Sequence, residues 1–241
     1  MTTTPKTEPR GDESLSDRVI SEVRERIITQ ALRPDQPFTE GEIAGQLGVS
    51  KSPVREALSL LRRQGWVQVL PRSGYRVAPL TLHDAQSLMT IRLALEPEAA
   101  ALAAQRSHRW PEQVQLLQDY AQAAVPASDT GDMAVQHYRF HKRIAVLSGS
   151  EEMDRILSEV LLKLRRYDSL DIVGDAAPEV TFDHQDLAAA IAERNMERAR
   201  ELSAEHVRSA RDALLTALMS SDQLMSANLA LGSTTAQRLV S

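Results

Sequence analysis

Four of the six histidines fall in the last 110 residues of the chain. His137 and His141 are four apart, so on a helix they share one face. His184 and His206 lie on later segments that also read as helices and can turn towards the same place. Three or four neutral imidazoles converging from three helices suit Zn²⁺, Ni²⁺ or a similar borderline cation. The other outcome of such spacing is a set of surface or core-satisfied histidines. The stretch HYRFH has the spacing of H-E-x-x-H, in which two histidines hold zinc while a glutamate activates water. Tyr138 stands where that glutamate would be, and the chain has neither a Gly-rich phosphate loop nor a nucleophile elbow. A metal-dependent hydrolase therefore gives way to a non-enzymatic binding site.

A second chemistry is carried by LGVSKSPVREALSLLRRQG, Leu47 to Gly65. Between Gly41 and Val77 there are six cations (Lys51, Arg55, Arg62, Arg63, Arg72, Arg76) against two anions (Glu42, Glu56), in a chain whose net charge is −5. Positive charge is thus gathered in one place, which points to a polyanionic partner rather than to general stickiness. Val54, Ala57, Leu58 and Leu61 form a core-facing set at helical spacing, and Lys51, Arg55, Ser59 and Arg62 make the opposite stripe. Such a helix offers side chains to base edges and backbone N–H groups to phosphate, as a recognition helix in the major groove does.

The elements that must position these residues follow from periodicity. Leu15, Val19, Val23 and Ile27 predict a helix over Ser14 to Ala31, stopped by RPDQP. A short helix follows from about Thr39, its cap, to Leu47. GVS makes the turn, Ser52 can cap the next helix with Pro53 at its first position, and Gly65 suits the residue past its end. WVQVLPRSGYRV then reads as two short strands around Pro71 to Gly74, a wing with Arg72 at its tip. After a connector that leads into a capping box of Thr81 with Asp84, the pattern is helical to about Ser220. Leu88, Ile91, Leu95, Ala99 and Leu102 mark one face of a first long helix. Further helices are predicted at about Trp110 to Ala124, Thr130 to Leu147, Glu151 to Leu170, Pro178 to Ala192 and Met196 to Leu218, packed as an antiparallel bundle. The fold class is mainly α. Its expected division is an arm (1–13), a winged helix-turn-helix domain (14–79), a linker (80–83), a helical domain (84–220) and a loose tail (221–241).

With 241 residues, 42% hydrophobic and 25% charged, the chain can bury a sizeable core in one large or two modest domains. It has no cysteine, which excludes disulfides, thiolate zinc sites and a cysteine nucleophile. No apolar run is long enough to span a bilayer and the first residues are polar, so the expected location is the cytoplasm.

Residues 15 to 79 resemble the winged helix-turn-helix of the GntR family of bacterial transcription regulators, whose signature is similar to LGVS(R/K)xPVREAL followed by LxxxGxV and a glycine-containing wing. The resemblance implies DNA contacts from Ser50, Lys51, Ser52, Arg55 and the wing near Arg72 and Gly74. Two departures bear on the operator sequence. Gly41 stands where many relatives carry an arginine, and the wing arginine comes one place early relative to the common Arg-Gly pair. Residues 84 to 215 resemble the FCD ligand-binding domain of the FadR-type branch, through IRLALEPEAAALAA, HYRFHKRIAVLSGS and DHQDLAAAIAERNMERARELSAEHV. In metal-containing members one aspartate and three histidines bind the ion. The histidine positions correspond to His141, His184 and His206, while His137 occupies the aspartate position and makes the implied site all-nitrogen. Asp183 is expected to face solvent or to fix a ring.

The resemblance further implies a divalent ion, zinc first with nickel or similar as alternatives, that docks a small organic acid. Arg92 offers that acid a bidentate partner, and Arg165 and Arg166 are further candidates. The other reading of Arg92 is an internal pair with Glu96. The implied function is a ligand-responsive regulator, a repressor that binds palindromic double-stranded DNA as a homodimer, touches no membrane and is released by its effector. A metal-free regulator with an apolar or acyl effector is the alternative.

Overall fold

The computed structural model describes residues 14–122, 130–168 and 182–220, leaving side chains aside at 130–132, 182 and 183. It divides into two compact units, Met1–Pro79 and Leu80–Ser241. The arm, the tail and residues 178–181 of an expected helix lie outside the described residues, as does the Asp183 side chain.

The first unit begins with α1 (Leu15–Ile28), which buries Val19, Val23, Ile27 and Ile28. Ser14 caps it in a reciprocal box with Asp17, satisfying two backbone N–H groups that a helix start leaves without partners. Thr39 and Glu42 do the same for α2 (Glu40–Leu47). The turn then delivers α3 (Lys51–Arg63), whose buried residues are Val54, Ala57, Leu58 and Leu61, the set that its spacing predicts. The start of α3 differs from expectation. Ser50, not Ser52, is the cap: it is extended, at φ −72° and ψ 164°, and helical geometry begins at Lys51. Pro53 therefore sits third rather than first. It is still within the first turn, where a missing N–H breaks no intrahelical bond.

Strands β1 (Val67–Leu70) and β2 (Gly74–Val77) form the antiparallel wing, with Val67 opposite Val77 and Leu70 opposite Gly74. Its turn is closed by Ser73 N–H donating to Leu70 O at 3.1 Å. Pro71 is second in this turn, and Arg72, with φ 67°, occupies the third place, where a type II turn needs a left-handed residue. The wing is also tied at its base. Phe38 and Tyr75 exchange two backbone hydrogen bonds of 2.8 Å, which pins β2 to the residue just before the Thr39 cap. Gly74 makes this possible: at φ 90° it accepts a conformation costly for other residues, and a Cβ there would collide with the Phe38 carbonyl.

The second unit is all helix among its described residues: α4 (Leu82–Arg106), α5 (Pro111–Gln122), α6 (Thr130–Leu147), α7 (Glu151–Asp168), α8 (Phe182–Ala192) and α9 (Met196–Ser220). Thr81 caps α4 by accepting from Asp84 N–H, but the expected reciprocal half is missing. The Asp84 carboxylate takes the Thr81 hydroxyl proton at 2.7 Å instead of the backbone N–H. One core joins Ala99, Ala100, Ala103 and Ala104 of α4 to Phe140 and Ile144 of α6, Leu187 and Ile191 of α8 and Leu202 of α9. A second gathers Met89, Leu164, Tyr167 and Leu218, and the Tyr167 hydroxyl donates to Thr81 O at 2.9 Å.

The buried face of α4 is shifted from the one its large apolar residues suggest. Ile91 is exposed, and Leu88, Leu95 and Leu102 are only partly covered. What α4 buries is the stripe Ala85, Met89, Arg92, Glu96, Ala99 and Ala103. Small alanines allow close approach by neighbouring helices, and the two charged residues in the stripe are buried because they satisfy each other. Among the described residues no helix is long and apolar enough to cross a membrane.

Candidate metal centre and nucleic-acid interface

Three helices of the second unit bring the four histidines together. The four-residue spacing on α6 aims His137 and His141 the same way, α8 places His184 near its start, and α9 contributes His206 from its middle. Their ligand nitrogens all lie within 4.8 Å of one another. His141 Nε2 is 3.2 Å from His137 Nε2 and 3.0 Å from His206 Nε2. His141, His184 and His206 are buried, and His137 is half-buried. Phe140 stacks on the His184 ring at 4.1 Å between centroids and fixes its plane.

Electrostatics favour the neutral form that metal ligation requires. Burial, followed by the neighbouring His141 and His184 rings and then by Arg92, holds His137 and His206 well below the ordinary histidine value. Burial and then Arg92 do the same for His141. His184 is lowered to about 4, chiefly by burial and next by Arg92, with Glu96 opposing.

The residues fit a metal ion on an observation independent of charge. His184 Nε2 is buried with no hydrogen-bond partner among the described residues. Leaving such a nitrogen unsatisfied is costly, and a cation would satisfy it. Behind the cluster, Glu96 Oε2 lies 2.9 Å from His141 Nδ1, in close contact with the neutral ring though not lined up as a hydrogen bond. Glu96 is in turn gripped by Arg92, whose Nε and Nη2 reach its two oxygens at 2.5 and 3.2 Å. Arg92 is thus found with the internal partner that its i,i+4 spacing allows. Its Nη1 makes a long contact of 4.0 Å with the Met89 sulfur. Arg165 lies over the Tyr138 ring at 5.5 Å, and Arg166 is buried, which lowers it to about 10.

Sequence reasoning missed the contact of Glu96 with His141 and the stacking of Phe140 on His184. The first crosses between helices, which spacing along one helix does not report. The second had a faint signal, an aromatic beside a histidine in RFH.

In the first unit, Ser50, Lys51, Ser52, Arg55 and Arg72 are all exposed, and Gly74 is half-buried at the base of the wing turn. Arg55 is not loose. Its Nη2 and Nε both lie 3.1 Å from Glu40 Oε2. The Tyr75 hydroxyl, from the wing, approaches the other Glu40 oxygen at 3.4 Å. Lys51 lies over Gly41, its Cε 3.6 Å from where a Cβ there would be. A Cβ there would stand at ordinary van der Waals distance, so the glycine that departs from the family pattern lies directly beneath the lysine side chain. Arg62 and Arg63 are exposed further along α3, and Arg63 donates to Ser59 Oγ at 3.2 Å.

Comparison with known proteins agrees with both halves. The family described as bacterial regulatory proteins, gntR family, matches residues 15–77, and the FCD domain matches residues 87–209. An HTH-type transcriptional regulator from the TAR-I ttuE-ttuC' intergenic region of Agrobacterium vitis is 34% identical over 151 residues, covering 59% of this chain and 88% of its own. The HTH-type transcriptional repressor GlaR of Escherichia coli is 25% identical over 196 residues, 75% of this chain and 87% of that protein. The solved structure of McbR/YncC from E. coli shares the fold, with a TM-score of 0.71 and 21% identity over 85% of this chain and 99% of that one. The chain therefore belongs to the GntR family of bacterial regulatory proteins, in the group whose second domain is an FCD domain.

Proposed function

We propose that this GntR-family regulator is a repressor that binds a palindromic operator as a homodimer in the cytoplasm, and leaves it when a small organic acid enters the FCD domain. The observation that carries the DNA-binding half is the exposed row of Ser50, Lys51, Ser52 and Arg55 on a helix whose other face is buried. Lys51 and Arg55 read base edges, the first N–H groups of α3 meet phosphate, and Arg72 reaches the backbone or the minor groove from the wing. Gly74 lets the wing backbone come close. Glu40 holds Arg55 in a defined pose before DNA arrives, which reduces the ordering needed on binding.

In the FCD domain, His137, His141, His184 and His206 hold a divalent ion, zinc by preference for imidazole ligands, with nickel as the alternative. When bound, that ion supplies a Lewis-acid anchor for a carboxylate. Glu96 orients the His141 ring, and Arg92 keeps Glu96 in place, its Nη1 with only a long contact to the Met89 sulfur being the donor left for the carboxylate. The effector changes operator affinity to the extent that it prefers one state of the protein over the other.

A gel-shift titration of the full protein on its own upstream DNA, with organic acids added singly, tests this reading. Binding that Arg55→Ala weakens and one acid relieves is expected. Equal shifts by the wild-type protein and Arg55→Ala would remove α3 as the reading helix, and metal analysis of chelator-free protein checks the FCD half separately.

A further inference from the structure

Lys51 and Arg55 are one turn apart at the start of α3, and both lean back on the first turn of α2. They meet successive residues there. Arg55 reaches Glu40 through two contacts of 3.1 Å, so its place is set by charge. Lys51 lies over Gly41: a Cβ on that glycine would stand 3.6 Å from Lys51 Cε and 3.8 Å from its Nζ. Lys51 is exposed and has no hydrogen-bond or ion-pair partner among the described residues. A long stem with no partner at its end is free to turn among many rotamers, and the surface beneath it decides which remain. Shape does for Lys51 what charge does for Arg55.

The backbone does not ask for glycine at 41. Gly41 lies within α2 and has no positive φ, and alanine is the better helix former. Alanine would also fit, its Cβ in ordinary contact with Lys51. A β-branched residue would not fit without moving the lysine, because its two γ groups fan out from a Cβ that is already at contact distance.

We propose that Gly41 is a specificity-determining position that acts through Lys51: the missing side chain lets the Lys51 stem rest against α2, and that pose selects the base pair its ammonium meets. This rests on the reading of α3 as the helix that enters the major groove. A lysine ammonium only donates, so the base edge it selects is that of guanine, whose O6 and N7 both accept. Residue 41 need not touch DNA for this. Its size sets how far Lys51 stands out from α2, while Arg55 keeps its own partner at residue 40.

The test uses full-length protein and a pool of duplexes randomised over about two helical turns, from which bound sequences are selected and counted. The proteins are wild type, Lys51→Ala, Gly41→Ala, Gly41→Val and the double variant Gly41→Val with Lys51→Ala, each shown to be folded by its melting curve. Lys51→Ala is expected to lower a guanine preference at one position of the selected half-site by about 5- to 100-fold, the span for one good base contact. Gly41→Val should lower it at that same position and leave the others, and Gly41→Ala should keep the wild-type preference. The double variant should lose no more than Lys51→Ala, since two changes that act on one contact do not add. A Gly41→Val protein whose preferences are unchanged, altered at a different position, or merely weaker at every position would overturn the proposal and leave Lys51 as a base reader. So would a Gly41→Ala protein as altered as Gly41→Val. If Lys51→Ala changes no preference, Lys51 reads no base, and its part in the reading of α3 falls together with this inference.

Discussion

Arg55 of α3 is held by Glu40 at the start of α2, through contacts of 3.1 Å to one carboxylate oxygen. The pair is exposed on the arginine side, so its worth lies in placement more than in stability. In the proposed DNA-binding role, a carboxylate beside Arg55 also repels phosphate, which penalises non-specific binding more than a matched site. Glu40→Gln is therefore expected to raise affinity for a scrambled duplex and to narrow the gap between operator and scrambled DNA. Fluorescence anisotropy on both duplexes at one salt concentration checks this. Arg55→Ala should weaken operator binding by about 10- to 100-fold, the range for losing a two-pronged base contact.

Arg72 occupies a left-handed position in the wing turn, at φ 67°, where glycine would be the easier residue. Arg72→Gly should relieve about 1 kcal/mol of strain and leave the folded state at least as stable. DNA affinity should nevertheless fall, and the salt dependence should lose about one phosphate contact. Urea melts beside salt-dependent binding curves separate the two effects. A wing that binds DNA equally well with glycine at its tip would leave Arg72 without a role.

Arg92 and Glu96 are each about 3% exposed at the side chain, a buried pair in which neither charge has water to fall back on. Glu96→Ala strands the guanidinium and should cost about 3–5 kcal/mol, whereas replacing both residues by leucine should restore most of that loss. Equilibrium urea unfolding of the wild type, Glu96→Ala and the double variant checks this. The double variant should still bind metal more weakly than wild type, because the His141 ring loses its orienting carboxylate.

The histidines predict a pH response in the metal-free protein. All four have folded-state values below the unfolded value of 6.5, His184 at about 4. Between those limits the unfolded chain binds more protons than the folded one, so stability rises with pH. The contribution of His184 is intact above 6.5 and is lost progressively as pH falls towards 4, and the other three likewise lose theirs as pH falls below 6.5. Urea midpoints at about pH 7.5 and pH 5.5 should differ in that direction, and His184→Phe should flatten the slope. Saturating zinc should steepen it, because protons then also compete with the ion.

The buried face of α3 could be read from the sequence because Val54, Ala57, Leu58 and Leu61 are apolar, evenly spaced and opposed by cations. The same reasoning misplaced the inner face of α4, where it followed Leu88, Ile91 and Leu95. There the buried stripe is built from alanines and an ion pair, which carry little hydrophobic signal but fit where helices approach closely. Convergence of the histidines was half legible. The His137 and His141 spacing fixed a shared face, whereas the arrival of His184 and His206 depends on packing between helices. The Glu40 clasp on Arg55 spans 15 residues and two helices, beyond the reach of any local pattern.

The two backbone hydrogen bonds between Phe38 and Tyr75 make the hairpin an extension of the connector that follows the first helix. A change in the length of that connector would move Phe38 and, through it, the arginine-bearing tip. Under the proposed DNA-binding role, operator preference is expected to drift through insertions and deletions there while α3 and the wing keep their sequence.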